Sequence, residues 1–492
     1  MKYISTRDRS TSVSAAEAIS RGLSREGGLF LPDSVPALTK EDIDNIARLS
    51  YPERAKLIMS RYLEDYTEEE LGAFCTKAYG DNFDCPECAP TVRVGDNTHV
   101  LELWHGPTSA FKDMALQMLP YLLTAAMKKT GETKKVCILV ATSGDTGKAA
   151  LEGFKDVENT KIMVFYPSDG VSDVQKLQMQ SQEGENVGVI AITGNFDDAQ
   201  SAVKTIFSDE KLREELDSKG WFLSSANSIN WGRLLPQIVY YISSYADLVA
   251  SGEIENGEEV DFCVPTGNFG DILAGYFAKL MGLPVGRLIC ASNANNVLTD
   301  FINTGVYDRN RRFYTTISPS MDILISSNLE RLLYLLSGDD KLVARLMAEL
   351  GENGKYTAPA ELMEKLRASF AAEFLDDAET KEVIGRVWRE KGYLMDTHTA
   401  VAYGALEKYR KSHSGRTCVV LSTASPFKFT PAVLEAIGEN GNGAGVELID
   451  RLSAATGKTA PKNLAALKTA TARFTKIVPK TELLGEVKDF LR

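Results

Sequence analysis

Short apolar runs rich in β-branched residues alternate with helical patterns through most of the chain. KKVCILVA, at residues 134–141, leads through TSGDTG into KAALEGF, and EEVDFCVP, at residues 258–265, leads through TGNFGD into ILAGYFAKLMG. The same order of strand, loop and helix follows KIMVFYP, NVGVIAI, VGRLICAS and RTCVVLSTA. Continuous apolar strands that alternate with helices predict an α/β protein whose parallel sheets are covered by helices on both faces.

Three regions depart from this alternation. The first 90 or so residues are mostly helical in pattern, and the segment from about 325 to 390 is rich in Glu, Lys, Arg and Leu at helical spacing. The tail after Ala460 is basic and poorly patterned until a short final helix. We therefore expect a helical N-terminal domain over residues 1–90 and a helical insertion over residues 325–390.

Composition and charge narrow the class of protein. The 492 residues exceed a single ordinary core, and a chain with 44% hydrophobic and 25% charged residues is typical of a soluble, multidomain protein. The formal net charge of -12 disfavours nucleic acid or an anionic membrane as the main partner. No apolar stretch is long enough to cross a bilayer, and the N-terminus has no apolar signal core. We therefore expect a cytoplasmic protein.

The cysteines do not predict a disulfide scaffold or a metal site. There are seven, an odd number that is typical of reduced thiols in a chain of this length. Cys85 and Cys88 have the spacing of a redox pair or of half a zinc site, which would need a second pair or two histidines nearby. The histidines are scattered at His99, His105, His398 and His413. We therefore predict mostly buried, reduced cysteines and no metal.

Three loops that follow predicted strands have the composition of ligand-binding loops, namely TSGDTG, PTGNFGD and STASPFKF. In parallel sheets, ligands bind at the carboxyl ends of strands, where loops open onto helix N-termini. TSGDTGK is not a nucleotide-binding P-loop, because Thr142 and Ala149 occupy positions that require Gly and Ser or Thr. In PTGNFGD, Gly267 and Gly270 would let backbone N–H groups converge on an anion, although a tight strand-to-helix turn explains them equally well.

A second candidate anion site precedes a long apolar helix. SSANSINWGRLLPQ, at residues 224–237, groups Asn227, Ser228, Asn230 and Arg233 before the helix. One arginine with several small amide and hydroxyl donors can recognise a phosphate group. A solvated helix cap is the alternative interpretation.

Lys112 is unusual because helical spacing places it on an apolar stripe. In HGPTSAFKDMALQML, at residues 105–119, Ser109 can cap a helix that starts near Ala110, so that Lys112 lies in its first turn. Burial and the helix dipole would then lower the pKa of the amine, and a neutral amine is suited to a Schiff base with an aldehyde. Together with an anion loop this predicts pyridoxal phosphate, whereas a lysine that snorkels to solvent is the alternative.

Several motifs together resemble the threonine synthase family. LELWHGPTSAFKD, ATSGDTG, ITGNFDDAQ, NSINWGRLLPQ, PTGNFGD and DTHTAVAYGA occur in this order, after the N-terminal ISRGLSREGGLFLP, and the resemblance extends to about residue 440. It implies a fold-type II pyridoxal phosphate enzyme, similar to the β subunit of tryptophan synthase. Its catalytic core would span residues 91–440, with a smaller α/β subdomain at about 115–235, before a C-terminal extension over residues 441–492.

The resemblance also implies roles for residues around the cofactor. Lys112 matches the lysine that holds the cofactor as a Schiff base. Asp145 matches a residue near the 3′-oxygen of the cofactor, where many relatives have SGNT rather than SGDT. Thr423 matches the hydroxyl that faces the pyridine nitrogen. The phosphate loop of the cofactor would comprise Gly267, Asn268, Phe269, Gly270 and Asp271.

A second set of residues would hold the phosphate of the substrate, O-phospho-L-homoserine. These residues are Thr142, Ser143, Asn227, Ser228 and Arg233, with Lys428 as a further partner. The implied reaction is a γ-elimination of phosphate followed by addition of water at Cβ, which gives L-threonine. Lys112 would move the protons as base and acid in turn.

Two alternatives stay open at this point. A phospho-lyase would need the same lysine and phosphate sites but would yield 2-oxobutyrate, and a non-catalytic ligand-binding protein could share the fold. The presence of Lys112 disfavours the second alternative. We expect a small-molecule substrate, no nucleic acid or membrane partner, and a monomer or homodimer.

Overall fold

Two mostly parallel sheets organise the fold. The computed structural model describes residues 1–142, 144–168, 171–194, 196–413, 415–443 and 445–492. The strands β1 to β16 are, in order, Tyr3–Ser5, Ser12–Val13, Phe30–Pro32, Thr91–Gly95, Thr98–Glu102, Lys135–Ala141, Thr160–Pro167, Val187–Thr193, Trp221–Ser224, Val260–Pro265, Val285–Ser292, Val306–Asp308, Lys355–Thr357, Phe370–Phe374, Cys418–Ser422 and Ile477–Pro479.

Helices cover these sheets and join their strands. The helices α1 to α22 are, in order, Ala15–Arg21, Lys40–Ile46, Tyr51–Ser60, Glu68–Ala78, Asp113–Leu116, Leu119–Lys129, Asp145–Phe154, Asp173–Gln180, Phe196–Ser208, Glu210–Ser218, Trp231–Ala250, Gly270–Leu280, Val297–Thr304, Leu329–Ser337, Asp340–Asn353, Ala360–Ser369, Asp377–Lys391, Thr397–Arg410, Thr430–Ala436, Glu447–Thr456, Lys462–Ala465 and Leu483–Phe490. Short 3₁₀ turns lie at Pro319–Met321, Pro426–Lys428, Ala466–Thr469 and Lys480–Glu482.

The larger sheet has the strand order β14-β11-β10-β15-β5-β4, and the smaller sheet has the order β16-β8-β7-β6-β9. All neighbouring strands in both are parallel, except that β4 runs antiparallel to β5. Every residue of β10 is buried, because helices cover both faces of its sheet. The predicted α/β class with parallel sheets is confirmed.

The structure corrects the sequence-based prediction in three places. The N-terminal region contains the three-stranded antiparallel sheet β2-β1-β3 beside its helices. The segment predicted as a helical insertion also contains β13, which pairs with β12, and the edge strand β14, which pairs with β11. The poorly patterned tail contributes β16, which pairs with β8 through Ile477 and Ala191. Short strands of this kind depend on a partner strand that is distant in sequence, so local pattern does not reveal them.

Helix α11 connects the N-terminal region to the core and is buried along nearly its whole length. Its first residue, Trp231, packs edge-on against Tyr3, with ring centroids 5.5 Å apart, and against Phe277, at 5.3 Å. The N-terminus of α11 is therefore packed between β1 of the N-terminal region and α12 of the core. Within the part of the chain that the structure describes, no helix combines the length and the apolar composition needed to span a bilayer.

Candidate active site

A cavity of about 270 Å³ lies where the loops after β6, β10 and β15 meet the N-terminus of α11. This is the carboxyl end of these strands, where parallel sheets bind ligands. The structure brings together most of the residues selected from the sequence. Those that line the cavity are Lys112, Thr142, Asp145, Asn227, Ser228, Arg233, Gly267, Asn268, Phe269, Gly270, Asp271 and Thr423.

Three selected residues are not in this set. Asn230 caps α11, because its Oδ1 accepts a hydrogen bond from the N–H of Gly232 at 2.9 Å. Ser143 lies outside the residues that the structure describes. Lys428 is fully buried and does not line the cavity, because its ammonium lies behind Asp145. The roles that the family resemblance implies for Ser143 and Lys428 stay predictions.

The segment that carries Lys112 folds differently from the prediction. Helix α5 begins at Asp113, and Lys112 precedes it. Ser109 does not cap the helix, because its backbone has a φ of 57° and its hydroxyl donates to Oδ1 of Asn463 at 2.9 Å. Instead, the buried carboxylate of Asp113 accepts hydrogen bonds from the backbone N–H and the hydroxyl of Thr108, at 2.9 and 2.7 Å. Asp113 therefore stabilises the turn that presents Lys112.

Lys112 opens onto the cavity and is otherwise surrounded by protein. Burial lowers the pKa of its amine to about 8; the Asp145 carboxylate opposes this shift and Arg233 adds to it. Nζ lies 4.8 Å from the ring centroid of Phe111, and among the described residues it has no hydrogen-bond partner. An amine with these surroundings is partly neutral near neutral pH and free to react.

The loop after β10 has the geometry of an anion-binding loop. Phe269 precedes α12 with a φ of 64°, and a Cβ on Gly267 would come within 2.7 Å of the carbonyl oxygen of Ser320. The carbonyl of Asn268 accepts a hydrogen bond from the backbone N–H of Asn328 at 3.0 Å, which fixes the loop. The first backbone N–H groups of α12 have no partner within the helix, so they are available to an anion in the cavity.

Asp271 follows this loop in the first turn of α12. Its Oδ1 accepts hydrogen bonds from the hydroxyls of Tyr240, at 2.5 Å, and Tyr241, at 2.9 Å. Burial raises the pKa of Asp271 to about 6, although the two tyrosine hydroxyls oppose the shift. Its Oδ2 is buried without a hydrogen-bond partner among the described residues. Helix α11 therefore orients this carboxyl group beside the anion-binding loop.

Asp145 forms a buried ion pair that the sequence did not reveal. Its Oδ1 lies 2.6 Å from Nζ of Lys428 and accepts a hydrogen bond from Nε2 of Gln175 at 2.7 Å. Burial by itself would raise the pKa of Asp145, but Lys428 and Lys112 hold it well below its usual range. Asp145 therefore stays ionised. The Lys428 charge offsets the negative charge of this buried carboxylate.

Arg233 is a buried cation that has no carboxylate partner among the described residues. Its side chain is 2% exposed, and Nη1 donates to the carbonyl oxygen of Ala226 at 2.5 Å. Its Nε is buried and also lacks a hydrogen-bond partner in the described part of the chain. Burial lowers the pKa of the guanidinium to about 10. Because a buried charge is costly unless it is paired, this geometry indicates a site for an anion.

Thr142 and Thr423 also have structural contacts. The hydroxyl of Thr142 accepts hydrogen bonds from the backbone N–H groups of Gly144, at 3.0 Å, and Gly147, at 2.9 Å, so it shapes the loop after β6. The carbonyl of Thr423 accepts from the N–H of Phe111 at 2.8 Å, which ties the loop after β15 to the segment that carries Lys112.

The cavity includes residues that the sequence analysis did not select. Nε2 of His398 accepts from the N–H of Ser320 at 3.1 Å, and its Nδ1 lies 2.8 Å from Oδ1 of Asp396. These contacts fix the wall formed by residues 320–323. The quoted motifs contain Gln200, Gln237 and His398, whereas no sequence pattern marked Lys204, Ser320 or Asp322. The unselected polar lining residues include Gln200, Lys204, Gln237, Ser320, Asp322 and His398.

These residues fit pyridoxal phosphate. Lys112 supplies a buried amine for its aldehyde, and the glycine loop supplies unpaired N–H groups for its phosphate. The guanidinium of Arg233 has no carboxylate partner among the described residues, so it is available to bind a second anion. In agreement, a family model described as pyridoxal-phosphate dependent enzyme matches residues 92–424. The protein is thus a fold-type II pyridoxal phosphate enzyme, and pyridoxal phosphate is its cofactor.

Two further family models match the ends of the chain, threonine synthase N terminus at residues 2–79 and threonine synthase C-terminal at residues 399–490. The chain belongs to the threonine synthase family. The C-terminal match corrects the sequence analysis, in which the resemblance ended near residue 440. The tail carries none of the quoted motifs. Its residues 448–467 pack with the core of the larger sheet, and β16 adds an edge strand to the smaller sheet.

Individual relatives agree with this assignment. The chain is 41% identical over 438 residues to threonine synthase of Pseudomonas aeruginosa, covering 89% of this chain and 90% of that protein. It is 42% identical over 456 residues to human threonine synthase-like 1, of which it spans only 60%. The crystal structure of pyridoxal phosphate-bound threonine synthase from Brucella melitensis superposes with a TM-score of 0.88 at 36% identity, covering 100% of both chains. The yeast threonine synthase structure has a TM-score of 0.88 at 35% identity, covering 99% of this chain and 98% of that one.

Proposed function

We propose that the protein converts O-phospho-L-homoserine and water to L-threonine and inorganic phosphate. The observation that carries this proposal is the pairing, in one cavity, of the reactive Lys112 with two separate anion-binding elements. One is the glycine loop at residues 267–270. The other is the guanidinium of Arg233, which has no carboxylate partner among the described residues. A cofactor phosphate needs one element, and a phosphorylated amino-acid substrate would use the other.

Lys112 would move the protons of the reaction. When bound, pyridoxal phosphate supplies an aldehyde that joins to amines and a ring that spreads negative charge from the substrate's Cα. With a pKa of about 8, Nζ of Lys112 exists as both neutral and protonated amine near neutral pH. The same atom can therefore accept the proton from Cα and later deliver a proton to Cγ.

Arg233, Asn227 and Ser228 would bind the phosphate of the substrate, and Thr142 lies in the same cavity. A guanidinium at this position stabilises the negative charge that grows on the leaving oxygen as the Cγ–O bond breaks. Thr423 would offer a neutral hydroxyl to the pyridine nitrogen. It would not keep that nitrogen protonated as a carboxylate would, so more of the catalysis would depend on positioning.

The test is to incubate the purified holoenzyme with O-phospho-L-homoserine in D₂O and to identify the products by NMR. We expect threonine, deuterated at Cα and Cγ, with one inorganic phosphate per turnover. Phosphate with 2-oxobutyrate would contradict the proposal and establish a phospho-lyase. The absence of turnover by protein that contains the cofactor would contradict the substrate assignment.

Lys112→Ala is the matched variant for the same experiment. It should lose turnover and the colour of covalently held cofactor, which borohydride bleaches in the wild type. A variant that kept colour and turnover would rule out the role of Lys112.

We also propose that the protein acts in the cytoplasm, as a monomer or homodimer, on a small molecule rather than on nucleic acid or a membrane. The formal net charge of -12 supports a small-molecule substrate over nucleic acid or an anionic membrane. Fractionation of the source cells and light scattering of the purified protein would test it.

A further inference from the structure

Three potential metal ligands from two distant parts of the chain meet outside the cavity. Asp84 and Cys85 lie in the loop after α4, and His105 lies in the segment after β5. A carboxylate oxygen of Asp84, Sγ of Cys85 and a ring nitrogen of His105 all lie within 4.8 Å of one another. A backbone hydrogen bond of 2.9 Å from N–H of Asp84 to the carbonyl of His105 holds the two segments together.

The imidazole of His105 is oriented as in a metal site. Its Nδ1 faces Oδ1 of Asp84 at 2.5 Å, and its Nε2 lies 2.9 Å from Oε2 of Glu102. The other oxygen of Glu102 accepts a hydrogen bond from the hydroxyl of Tyr393 at 2.9 Å. The ring also stacks on Trp104, with centroids 4.2 Å apart. With Nε2–H donated to Glu102, Nδ1 would be directed at a metal once its own proton is released.

The cluster is open to an ion from solvent. The side chain of Asp84 is 41% exposed and that of His105 is 13% exposed, and Cys85 is half-buried. Cys88 does not take part, because it is buried and its Sγ donates to the carbonyl of Tyr79 at 3.4 Å. Cys85 and Cys88 therefore do not form a ligand pair. Cys85 lies instead beside His105 and Asp84.

We propose that Asp84, Cys85 and His105 bind one Zn²⁺, with Glu102 orienting the imidazole. Thiolate, imidazole and carboxylate together suit zinc, and three protein ligands leave a fourth, tetrahedral position for water. Magnesium and calcium prefer sites made of oxygen ligands alone. Metal binding would displace the protons of the Cys85 thiol and of Nδ1 of His105. It would crosslink the N-terminal region to the segment that leads to Lys112.

The first test is a titration of chelator-treated, desalted holoenzyme with Co²⁺, and with Zn²⁺ in competition with a chromophoric chelator. We expect one equivalent of either metal and a thiolate-to-cobalt charge-transfer band. X-ray absorption at the zinc edge should show a single sulfur at about 2.3 Å and nitrogen or oxygen at about 2.0 Å. Two sulfurs would mean that Cys88 is also a ligand and would contradict the proposed ligand set, and binding of no metal would overturn the proposal.

Variants test which residues form the site. Cys85→Ala should lose the charge-transfer band, His105→Gln should weaken zinc binding at least about 10-fold, and Glu102→Gln should weaken it by about 10–100-fold. Asp81→Asn changes an exposed carboxylate of the same loop, outside the cluster, and is the matched control with unchanged affinity. The proposal would be contradicted if Asp81→Asn lost as much zinc affinity as the other variants. It would also be contradicted if Cys85→Ala and His105→Gln bound zinc as tightly as the wild type. If these two variants do not fold, Glu102→Gln and the wild-type spectra still decide it.

Discussion

Nζ of Lys428 lies 2.6 Å from Oδ1 of Asp145, and this ion pair is buried next to Lys112. Lys428 also donates to the carbonyl of Thr108 at 3.0 Å, so it joins the segment before Lys112 to the loop after β6. Asp145 faces the cavity and Lys428 lies behind it. The pair keeps a carboxylate ionised at the cavity wall without leaving an uncompensated charge in the protein interior.

Lys428→Met should destabilise the protein by about 3–5 kcal/mol, because it leaves the Asp145 carboxylate buried without its partner. The double variant Asp145→Asn with Lys428→Met removes both charges and should recover most of this loss. Urea unfolding of the apoenzymes measures both effects. Equal stability of the single variant and the wild type would mean that the buried pair contributes no net stabilisation.

The rate at which apoenzyme forms covalent holoenzyme should rise with pH, with a midpoint near 8. The pKa of Lys112 is lowered to about 8 by burial, and only the neutral amine reacts with an aldehyde. An ordinary lysine would give a midpoint near 10.5. Stopped-flow absorbance on mixing apoenzyme with pyridoxal phosphate measures this rate. Lys112→Ala, which should form no covalent holoenzyme, is the control.

Arg233→Ala should raise KM for O-phospho-L-homoserine far more than it lowers cofactor content. Loss of one charge-assisted phosphate contact costs about 1.5–3 kcal/mol, which corresponds to roughly 10–150-fold in KM. Arg213→Ala, which removes an exposed arginine of α10, is the matched control and should leave KM unchanged. A fall in cofactor occupancy without a change in KM would show that Arg233 binds the cofactor rather than the substrate.

The same guanidinium should limit the stability of the protein when no anion is bound. Arg233→Met removes a buried charge that has no carboxylate partner among the described residues, so its apoenzyme should be as stable as the wild type or more stable in phosphate-free buffer. Added inorganic phosphate should stabilise the wild type more than this variant. Thermal unfolding with and without phosphate measures the difference, and an identical response of both proteins would argue against an anion at Arg233.

Gly267→Ala should destabilise the apoenzyme by about 1–3 kcal/mol, because the new Cβ would lie 2.7 Å from the carbonyl oxygen of Ser320. Gly270→Ala is the matched comparison, since its Cβ would approach no atom closer than 3.4 Å. Urea unfolding should therefore give a lower free energy of unfolding for Gly267→Ala apoenzyme than for Gly270→Ala apoenzyme. Similar losses in both would show that the backbone at Gly267 relaxes to accept a side chain.

Much of the fold and of the cavity lining could be predicted from the sequence. The apolar strands reflect a local requirement, which is burial on both faces of the sheet. Gly267 is visible in the sequence too, although the carbonyl oxygen of Ser320, 2.7 Å from where a Cβ would lie, is what requires a glycine there. Loops at the carboxyl ends of nearby parallel strands meet, which brings together Lys112 after β5 and Asn268 after β10. Arg233 follows β9 of the smaller sheet and reaches the same cavity through the packing of the two sheets.

Other features depend on contacts between residues that are distant in sequence. The strands β14 and β16 exist because β11 and β8 offer edges with which they pair, and the turn at Lys112 depends on Asp113 rather than on Ser109. Packing also places Nζ of Lys428 beside Asp145, a contact that no sequence pattern indicated.

Local pattern and motifs were enough to indicate the class of fold, the cofactor and the lysine that we propose holds it. Tertiary structure alone decided which charges are paired and which are left for a ligand. Among the described residues it paired Asp145 with Lys428, left Arg233 without a carboxylate, and brought His105 to Cys85. The physical reason is that the free energy of a buried charge depends on its neighbours in space, and packing of the whole chain chooses those neighbours.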